Sequence, residues 1–217
     1  MPVAKRLACE LCLRPQSACI CRWVHPLRTS VEVLILQHPM EAGNAKGSAR
    51  LLHLSLPGSR LVIGETFDPA GLQALLHAPF ERTDIDAEAG RLPQRQPVLL
   101  YPENDALPSS GPMEMPVEPS RLRLVVLDGT WRKSRKMLYL NPLLQGLPRL
   151  PLKNMPRSHY LIRKAHRPDH LSTLEAACYA LMRIEGNESG YWPLLHAFDG
   201  FVAQQMHYLP PGRRPES

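Results

Sequence analysis

Short apolar runs rich in Val, Leu and Ile recur along the chain and alternate with segments of helical spacing. Each run has the length of a strand and is bounded by Gly, Pro or Asp, as the buried strands of a parallel sheet are. The runs predict strands at residues 31–36, 61–63, 98–101 and 122–127, and the segments between or after them predict helices at 49–56, 71–77, 131–140 and 174–185. This alternation predicts a single α/β domain, with a mostly parallel sheet, over residues 28–217.

Length and composition narrow the class of protein. A chain of 217 residues with 44% hydrophobic residues is long enough for one sizeable core. No apolar run reaches the length of a membrane-spanning helix, and the first residues, MPVAKRLACELC, lack the apolar centre of a secretory signal. We therefore expect a cytoplasmic protein with no membrane contact and no obligate protein partner.

Positive charge is concentrated in one part of the chain. The net charge is +6, and residues 129–168 contain ten Lys or Arg and no acid. A stretch of one sign suits a polyanion such as nucleic acid, although a solvated basic face has the same composition. The basic residues are Arg132, Lys133, Arg135, Lys136, Arg149, Lys153, Arg157, Arg163, Lys164 and Arg167.

Four cysteines near the N-terminus form the pattern C-x2-C-x6-C-x-C, namely Cys9, Cys12, Cys19 and Cys21. In a reducing compartment this clustering predicts a tetrahedral thiolate site for zinc rather than disulfides. All four ligands come from the protein, so the zinc would be structural, within a knuckle at residues 1–27. The alternative is a set of ordinary reduced cysteines. Cys178 stands apart on a predicted helix and is interpreted as a core residue.

Polar side chains follow two of the predicted strands. The strand at 122–127 leads directly into Asp128-Gly129-Thr130-Trp131, where α/β sheets bind ligands. The structural alternative makes Asp128 a helix cap and Trp131 a core anchor. His38 and Glu41 follow the first strand, and they are interpreted either as an acid–base pair or as structural residues.

Another motif lies before the last predicted helix. Ser172-Thr173-Leu174-Glu175 reads as a capping box, and the same helix start could hold a carboxylate ligand. Ser158, Tyr160 and Arg163 lie upstream as further polar candidates.

Several catalytic motifs are missing from the sequence. It contains no G-x-G-x-x-G, G-x-S-x-G or H-E-x-x-H, and residues 43–48, GNAKGS, have the residue types of a phosphate loop in the wrong order. These absences disfavour a Rossmann enzyme, an α/β-hydrolase, a zincin and a P-loop protein.

Together the motifs resemble the DTW-domain family, the bacterial tRNA-uridine aminocarboxypropyltransferases. The matching features, in chain order, are C-x2-C-x-R-P-x3-C-x-C, His38-Pro-x-Glu41, Leu-Asp128-Gly-Thr-Trp131, Ser158-x-Tyr160-x-x-Arg163 and Leu171-Ser-Thr-Leu-Glu175-Ala. The resemblance implies a SPOUT-like α/β fold, often knotted, that binds S-adenosylmethionine. It also implies transfer of the 3-amino-3-carboxypropyl group to N3 of a tRNA uridine, with methylthioadenosine as the by-product.

The resemblance also suggests roles for individual residues. Asp128 is the candidate catalytic base, or the group that orients the nucleophile. The candidate cofactor residues are Leu100, Thr130, Trp131, Leu150, Ser158, Tyr160, Ser172 and Thr173. The candidate substrate-binding residues are His38, Glu41, Arg50, Arg132, Lys133, Arg135, Lys136 and Arg163. Trp131 would face the sulfonium of the cofactor as a cation–π partner, or else pack inward.

One segment departs from the family pattern. Gly47-Ser48-Ala49-Arg50 stands where Asn-Thr-Gly-Arg is expected, so a hydroxyl and the arginine are kept while the Asn and Gly are lost. Two other functions remain open at this point, a SPOUT-type RNA methyltransferase and a non-catalytic zinc-dependent RNA-binding module. The methyltransferase would release S-adenosylhomocysteine, and the binding module would bind no cofactor.

Overall fold

The computed structural model describes residues 7–80, 94–103, 118–156, 158 and 171–208. Within these residues the strands are β1 Glu32–Gln37, β2 Ser59–Ile63, β3 Gln96–Leu99 and β4 Leu122–Asp128. The helices are α1 Pro39–Ala42, α2 Ala49–Ser55, α3 Pro69–His77, α4 Trp131–Leu140, α5 Pro142–Gln145, α6 Thr173–Glu185 and α7 Trp192–His207. Short 3₁₀ turns occur at Gln16–Ala18, Cys21–Trp23, Pro119–Arg121 and Ser189–Tyr191.

The four strands form one parallel sheet in the order β2-β1-β4-β3. Its two central strands, β1 and β4, are in register to their carboxyl ends, where Gln37 lies opposite Asp128. The predicted parallel α/β sheet is therefore confirmed. The SPOUT knot that the resemblance implies is not shown, and the chain between residues 159 and 170 lies outside the described residues.

Helices cover both faces of the sheet, because alternate residues of each buried strand point to opposite sides. Val33 and Ile35 of β1 pack in a core with α2, α6 and α7. Leu34 and Leu36 pack in a second core with α3, α4 and α5. The result is a three-layer arrangement in which the carboxyl ends of β1 and β4 lie between the two helical layers.

The cysteine segment packs into the first of these cores. Ile20 is fully buried there, and Cys19 O accepts a hydrogen bond of 3.0 Å from Gln204 Nε2 on α7. Trp23 lies against Gly200, where an added Cβ would be only 2.1 Å from the indole ring. Helix α7 therefore serves as the platform on which the cysteine segment docks.

No helix of the described residues combines the length and the apolar character that crossing a membrane requires.

Candidate functional site

Asp128 is buried where the two central strands end, with 2% of its surface exposed. Thr173 Oγ1 donates to Asp128 Oδ1 at 2.6 Å, and Gln37 Nε2 donates to Asp128 Oδ2 at 2.8 Å. Strand β1 also borders β2, and strand β4 also borders β3, so the junction of β1 and β4 lies at the middle of the sheet. In open α/β sheets a crevice between two such central strands is where ligands bind.

Thr130, rather than Asp128, caps α4. The Thr130 side chain accepts a hydrogen bond from Lys133 N, and Asp128 is engaged by Thr173 and Gln37 instead. The interpretation of Asp128 as a helix cap is therefore wrong. Gly129 permits the close turn between Asp128 and Thr130, because a Cβ at Gly129 would lie 3.1 Å from Lys133 Cβ.

Trp131 is half exposed at the start of α4, with 50% of its surface accessible. Its ring meets the Tyr101 ring edge-on, with centroids 5.6 Å apart and planes at 72°. The interpretation of Trp131 as a core anchor is therefore wrong. Trp131 thus lies at the protein surface, three residues after Asp128.

The capping box at the start of α6 is confirmed. Ser172 Oγ accepts from Glu175 N at 3.2 Å, and Ser172 N donates to Glu175 Oε2 at 2.7 Å. Ser158 also reaches this point, because its hydroxyl donates to Glu175 Oε2 at 2.7 Å. Two of the N–H groups that a helix start offers are thus used within the protein, which leaves less room for a ligand carboxylate there.

The segment that departs from the family pattern joins three parts of the molecule. Ser48 Oγ accepts from Leu174 N in the first turn of α6, at 3.3 Å. Arg14 of the cysteine segment donates to Ala45 O at 2.5 Å and to Gly47 O at 2.8 Å. Arg50 donates back to Leu11 O at 3.0 Å. Arg50, which was predicted to contact the substrate, therefore lies against the cysteine segment.

His38 and Glu41 bind different partners. His38 Nδ1 accepts from Met40 N at 3.1 Å, so Nε2 carries the proton and donates to Glu65 Oε1 at 2.8 Å. The buried Glu41 carboxylate accepts from Lys133 Nζ at 2.7 Å and from Asn44 Nδ2 at 2.8 Å. The structure does not bring the two side chains together as an acid–base pair.

Two polar residues of this region were not identified from the sequence, Gln37 and Glu65. Glu65 follows β2 closely and accepts from Lys136 and His38, and these hydrogen bonds hold the pKa of its carboxyl below the usual range. Its position after an apolar strand was an available signal. Gln37 belongs to no motif, and only the register of β1 with β4 reveals its role.

The basic residues of α4 have two kinds of surroundings. Lys133 and Lys136 form ion pairs with Glu41 and Glu65 at 2.7 and 2.9 Å. Arg132 and Arg135 are exposed on the same helix. Arg132 is therefore more accessible to a polyanion than Lys133, whose ammonium pairs with Glu41.

The remaining candidate residues lie near β3 or outside the described residues. Leu100 N donates to Val125 O at 2.9 Å and Leu150 N donates to Leu99 O at 2.8 Å, so both leucines flank the carboxyl end of β3. Leu150 is buried and Leu100 is half-buried. Tyr160 and Arg163 lie outside the described residues.

The four N-terminal cysteines converge on one point. Their Sγ atoms all lie within 4.8 Å of one another, with Cys9 to Cys21 at 3.6 Å and Cys12 to Cys19 at 3.8 Å. A tetrahedral zinc with bonds of about 2.3 Å would separate its sulfurs by about 3.8 Å. Backbone N–H groups of Cys12 and Leu11 lower the pKa of Cys9 to about 6, whereas burial raises the pKa of Cys21 to about 12. The cluster fits a four-coordinate metal. Cys178 is fully buried, as expected of a core residue.

Fold and site together define a parallel α/β domain with a buried carboxylate between its central strands and a cluster of four cysteines, which fits a metal, packed on its side. The chain belongs to the DTW domain family, which matches residues 6–206. This match confirms the resemblance that the ordered motifs indicate.

The curated relatives of the chain include three animal proteins. The chain is 30% identical over 216 residues to tRNA-uridine aminocarboxypropyltransferase 2 of Macaca fascicularis, covering 95% of this chain and 66% of the relative. It is 30% identical over 209 residues to the protein of that name in Mus musculus, covering 94% and 65%. For the Drosophila melanogaster protein of that name the identity is 31% over 192 residues, covering 85% and 69%. The chain thus spans just under two thirds of the macaque and mouse relatives, at 66% and 65% of their lengths. No solved structure matches the chain.

Proposed function

We propose that this chain is a tRNA-uridine aminocarboxypropyltransferase. It transfers the 3-amino-3-carboxypropyl group of S-adenosylmethionine to N3 of a uridine in tRNA and releases methylthioadenosine. The observation that carries the proposal is the buried Asp128 carboxylate at the carboxyl ends of β1 and β4, in a chain whose relatives bear that name.

The chemistry requires a base beside the nucleophile. Uridine N3 carries a proton at neutral pH, and its nitrogen must attack the γ-carbon as that proton leaves. The new N–C bond forms while the C–S bond breaks, and the electron pair goes to sulfur, which becomes the neutral thioether of methylthioadenosine. Asp128 accepts the N3 proton or orients N3 for attack.

The hydrogen bonds of Asp128 leave its carboxylate able to accept a further proton donor. Each carboxylate oxygen has two acceptor positions, and the hydrogen bonds from Thr173 and Gln37 use one on each oxygen. The two donors fix the plane of the carboxylate, so it needs no reorganisation when the uridine arrives.

The cofactor residues follow the carboxyl edge of the sheet. The residues proposed to bind the cofactor lie near the start of α4, the end of β3 and the start of α6. They are Thr130, Trp131, Leu100, Leu150, Ser158, Ser172 and Thr173. The half-exposed Trp131 indole is suited to a sulfonium cation. Tyr160 remains a prediction outside the described residues. Positioning by these groups selects the γ-carbon over the methyl carbon.

The substrate side of the proposal uses the outer surface of α4. Arg132 and Arg135 contact tRNA phosphates, with Lys136 adding charge. Arg163 remains a prediction outside the described residues. Lys133, His38, Glu41 and Arg50 hold the surrounding loops through the contacts described above. Zinc at Cys9, Cys12, Cys19 and Cys21 is structural, and the protein is cytoplasmic and acts without an obligate protein partner.

Two analyses test the function. Nucleoside mass spectrometry of tRNA from cells with and without the gene should show an aminocarboxypropyl-uridine that depends on it. Purified protein with S-adenosylmethionine and unmodified tRNA should release methylthioadenosine. Release of S-adenosylhomocysteine instead would identify a methyltransferase, and no turnover despite tight RNA binding would favour a binding module.

A further inference from the structure

The outer side of α4 carries aromatic and basic side chains in one continuous face. Trp131, Arg135 and Tyr139 follow one another at intervals of four residues, so each is turned only about 40° from the one before. The exposed residues beside this stripe are Arg132, Lys136 and Leu140. The opposite side of the helix is anchored in the core by Ser134, Met137 and Leu138.

Both aromatic residues of this face contribute to the protein surface. Tyr139 has 70% of its surface exposed and Trp131 has 50%. Exposed rings grouped on one surface mark an interaction site more often than rings scattered singly. The helix sequence, WRKSRKMLYL, contains four basic residues and no acid. Lys133 and Lys136 are paired with Glu41 and Glu65, and Arg132 is exposed, so the surface favours an anionic partner with flat rings.

We infer that this outer face of α4 binds unpaired nucleotides of the RNA, which stack their bases on Tyr139 while Arg132 and Arg135 contact the phosphates. The inference rests on the proposed function for the identity of the RNA. Aromatic side chains between cations are the usual surface for single strands, because every base has a π-face to stack. A duplex offers no such face along its length, since its bases already stack on one another.

The position of the stripe relative to Asp128 gives a second reason. Trp131 follows Asp128 by three residues, and Tyr139 lies about 12 Å farther along the helix. That length matches a few stacked nucleotides at about 3.4 Å each. Uridine N3 is blocked by hydrogen bonding within a base pair, so the target must be unpaired. Its neighbours along the strand would then lie on this face.

Binding measurements at several salt concentrations separate stacking from charge. The probes are a short single-stranded RNA and a hairpin duplex of the same composition. Tyr139→Ala should weaken single-strand binding about 5- to 150-fold without changing its salt slope, because no charge is lost. Tyr139→Phe keeps the ring and should bind as wild type. Arg132→Ala should instead lower the salt slope by about 0.7.

A matched control comes from the other side of the sheet. Trp192 on α7 has 45% of its surface exposed, in the layer opposite α4, so Trp192→Ala should leave RNA binding unchanged. Because Tyr139 is largely exposed, Tyr139→Ala should melt at the wild-type temperature, which excludes misfolding as the cause of weaker binding.

The outcomes distinguish this inference from the proposed function. Unchanged single-strand binding by Tyr139→Ala, or an equal loss for the duplex probe, overturns the stacking face even if the wild-type protein modifies tRNA. A selective loss of single-strand binding supports the face even if the wild-type protein transfers no aminocarboxypropyl group, and in that case only the proposed reaction fails.

Discussion

The Thr173 hydroxyl donates a 2.6 Å hydrogen bond to Asp128 Oδ1, joining the first residue of α6 to the last residue of β4. These two residues are 45 positions apart in the chain. Gln37 at the end of β1 donates to the other oxygen, so the carboxylate is held from both sides. Such bonds to a charged acceptor are worth about 1.5–3 kcal/mol each, which makes this junction a fixed point of the site.

Asp128→Asn should remove the chemistry while keeping the fold. The Asn carbonyl can accept from Gln37, and its amide can donate to the Thr173 oxygen once that hydroxyl rotates. The charge needed for proton abstraction is lost, and losing a general base costs about 10²- to 10⁴-fold in rate. Single-turnover assays at saturating S-adenosylmethionine and tRNA measure that step.

A real helix cap provides the control. Asp68 caps α3 by accepting from Gly71 N at 2.8 Å, so Asp68→Asn should be nearly silent, because Asn caps about as well as Asp. If Asp128→Asn is equally silent in the single-turnover assay, another group must be the base.

Lys133 should matter for stability rather than for RNA binding. Its ammonium pairs with the Glu41 carboxylate, which has 3% of its side chain exposed. Lys133→Met keeps the aliphatic stem and removes the ion pair of the buried Glu41 carboxylate, so we expect a loss of about 1–3 kcal/mol in the free energy of unfolding. Urea denaturation measures it.

Arg132→Ala is the comparison for Lys133→Met, because Arg132 is exposed on the same helix. It should leave the urea midpoint unchanged and weaken tRNA binding. Equal stability of the two variants would mean that the Glu41 pair contributes little. For this reason the RNA surface is better probed through the arginines of α4 than through its lysines.

The elements that the sequence predicted are those with strong local signals. Helix α6 has a capping box and one apolar side, and β4 is a continuous apolar run, so both were identified. Helix α7 was missed, although Leu194, Phe198 and Phe201 follow the i, i+4, i+7 spacing of one apolar stripe, because Gly200 and the buried Gln204 and Gln205 interrupt the apolar pattern. The predicted third strand extended to Tyr101, whereas the ladder of β3 with β4 ends at Leu99.

Only those residues of the site that belong to sequence motifs could be predicted. Asp128, Ser172 and Thr173 were located by sequence, and the capping box was identified correctly. That these residues meet could be learned only from the tertiary structure, because no local sequence pattern indicates that Gln37 lies opposite Asp128. The contact of Arg14 with Ala45 and Gly47 likewise depends on how the cysteine segment docks, which the spacing of cysteines does not encode.

Metal removal should destabilise the whole domain. The cysteine segment shares the core that contains Ile20 and Cys12, so its release would expose apolar surface on α7. Purified protein should contain one zinc, and a strong chelator should lower its melting temperature. Cys9→Ser should lose the metal and melt lower without chelator, whereas Cys178→Ala should retain it. Intact folding with no bound metal would refute the assignment.

Gly200→Ala should weaken the docking of the cysteine segment on α7. A Cβ at Gly200 would lie 2.1 Å from Trp23 Cζ3 and 2.5 Å from two other ring atoms, closer than real contacts allow. The indole cannot move away freely, because Trp23 Nε1 donates to Gln204 and the ring is packed against the core. Although alanine favours helices over glycine by about 1 kcal/mol, overpacking costs about 1–3 kcal/mol, so the clash should win.

The control for Gly200→Ala is Gly146→Ala, where the nearest atom to an added Cβ is 3.9 Å away. That change should leave the melting temperature within the range of ordinary surface substitutions. For Gly200→Ala we expect both a lower melting temperature and faster zinc loss to a colorimetric chelator, because Trp23 follows Cys21 in the same turn. A lower melting temperature with unchanged zinc release would show that the metal cluster holds its geometry without α7. Wild-type behaviour in both measurements would mean that Trp23 does not pack on Gly200 in solution.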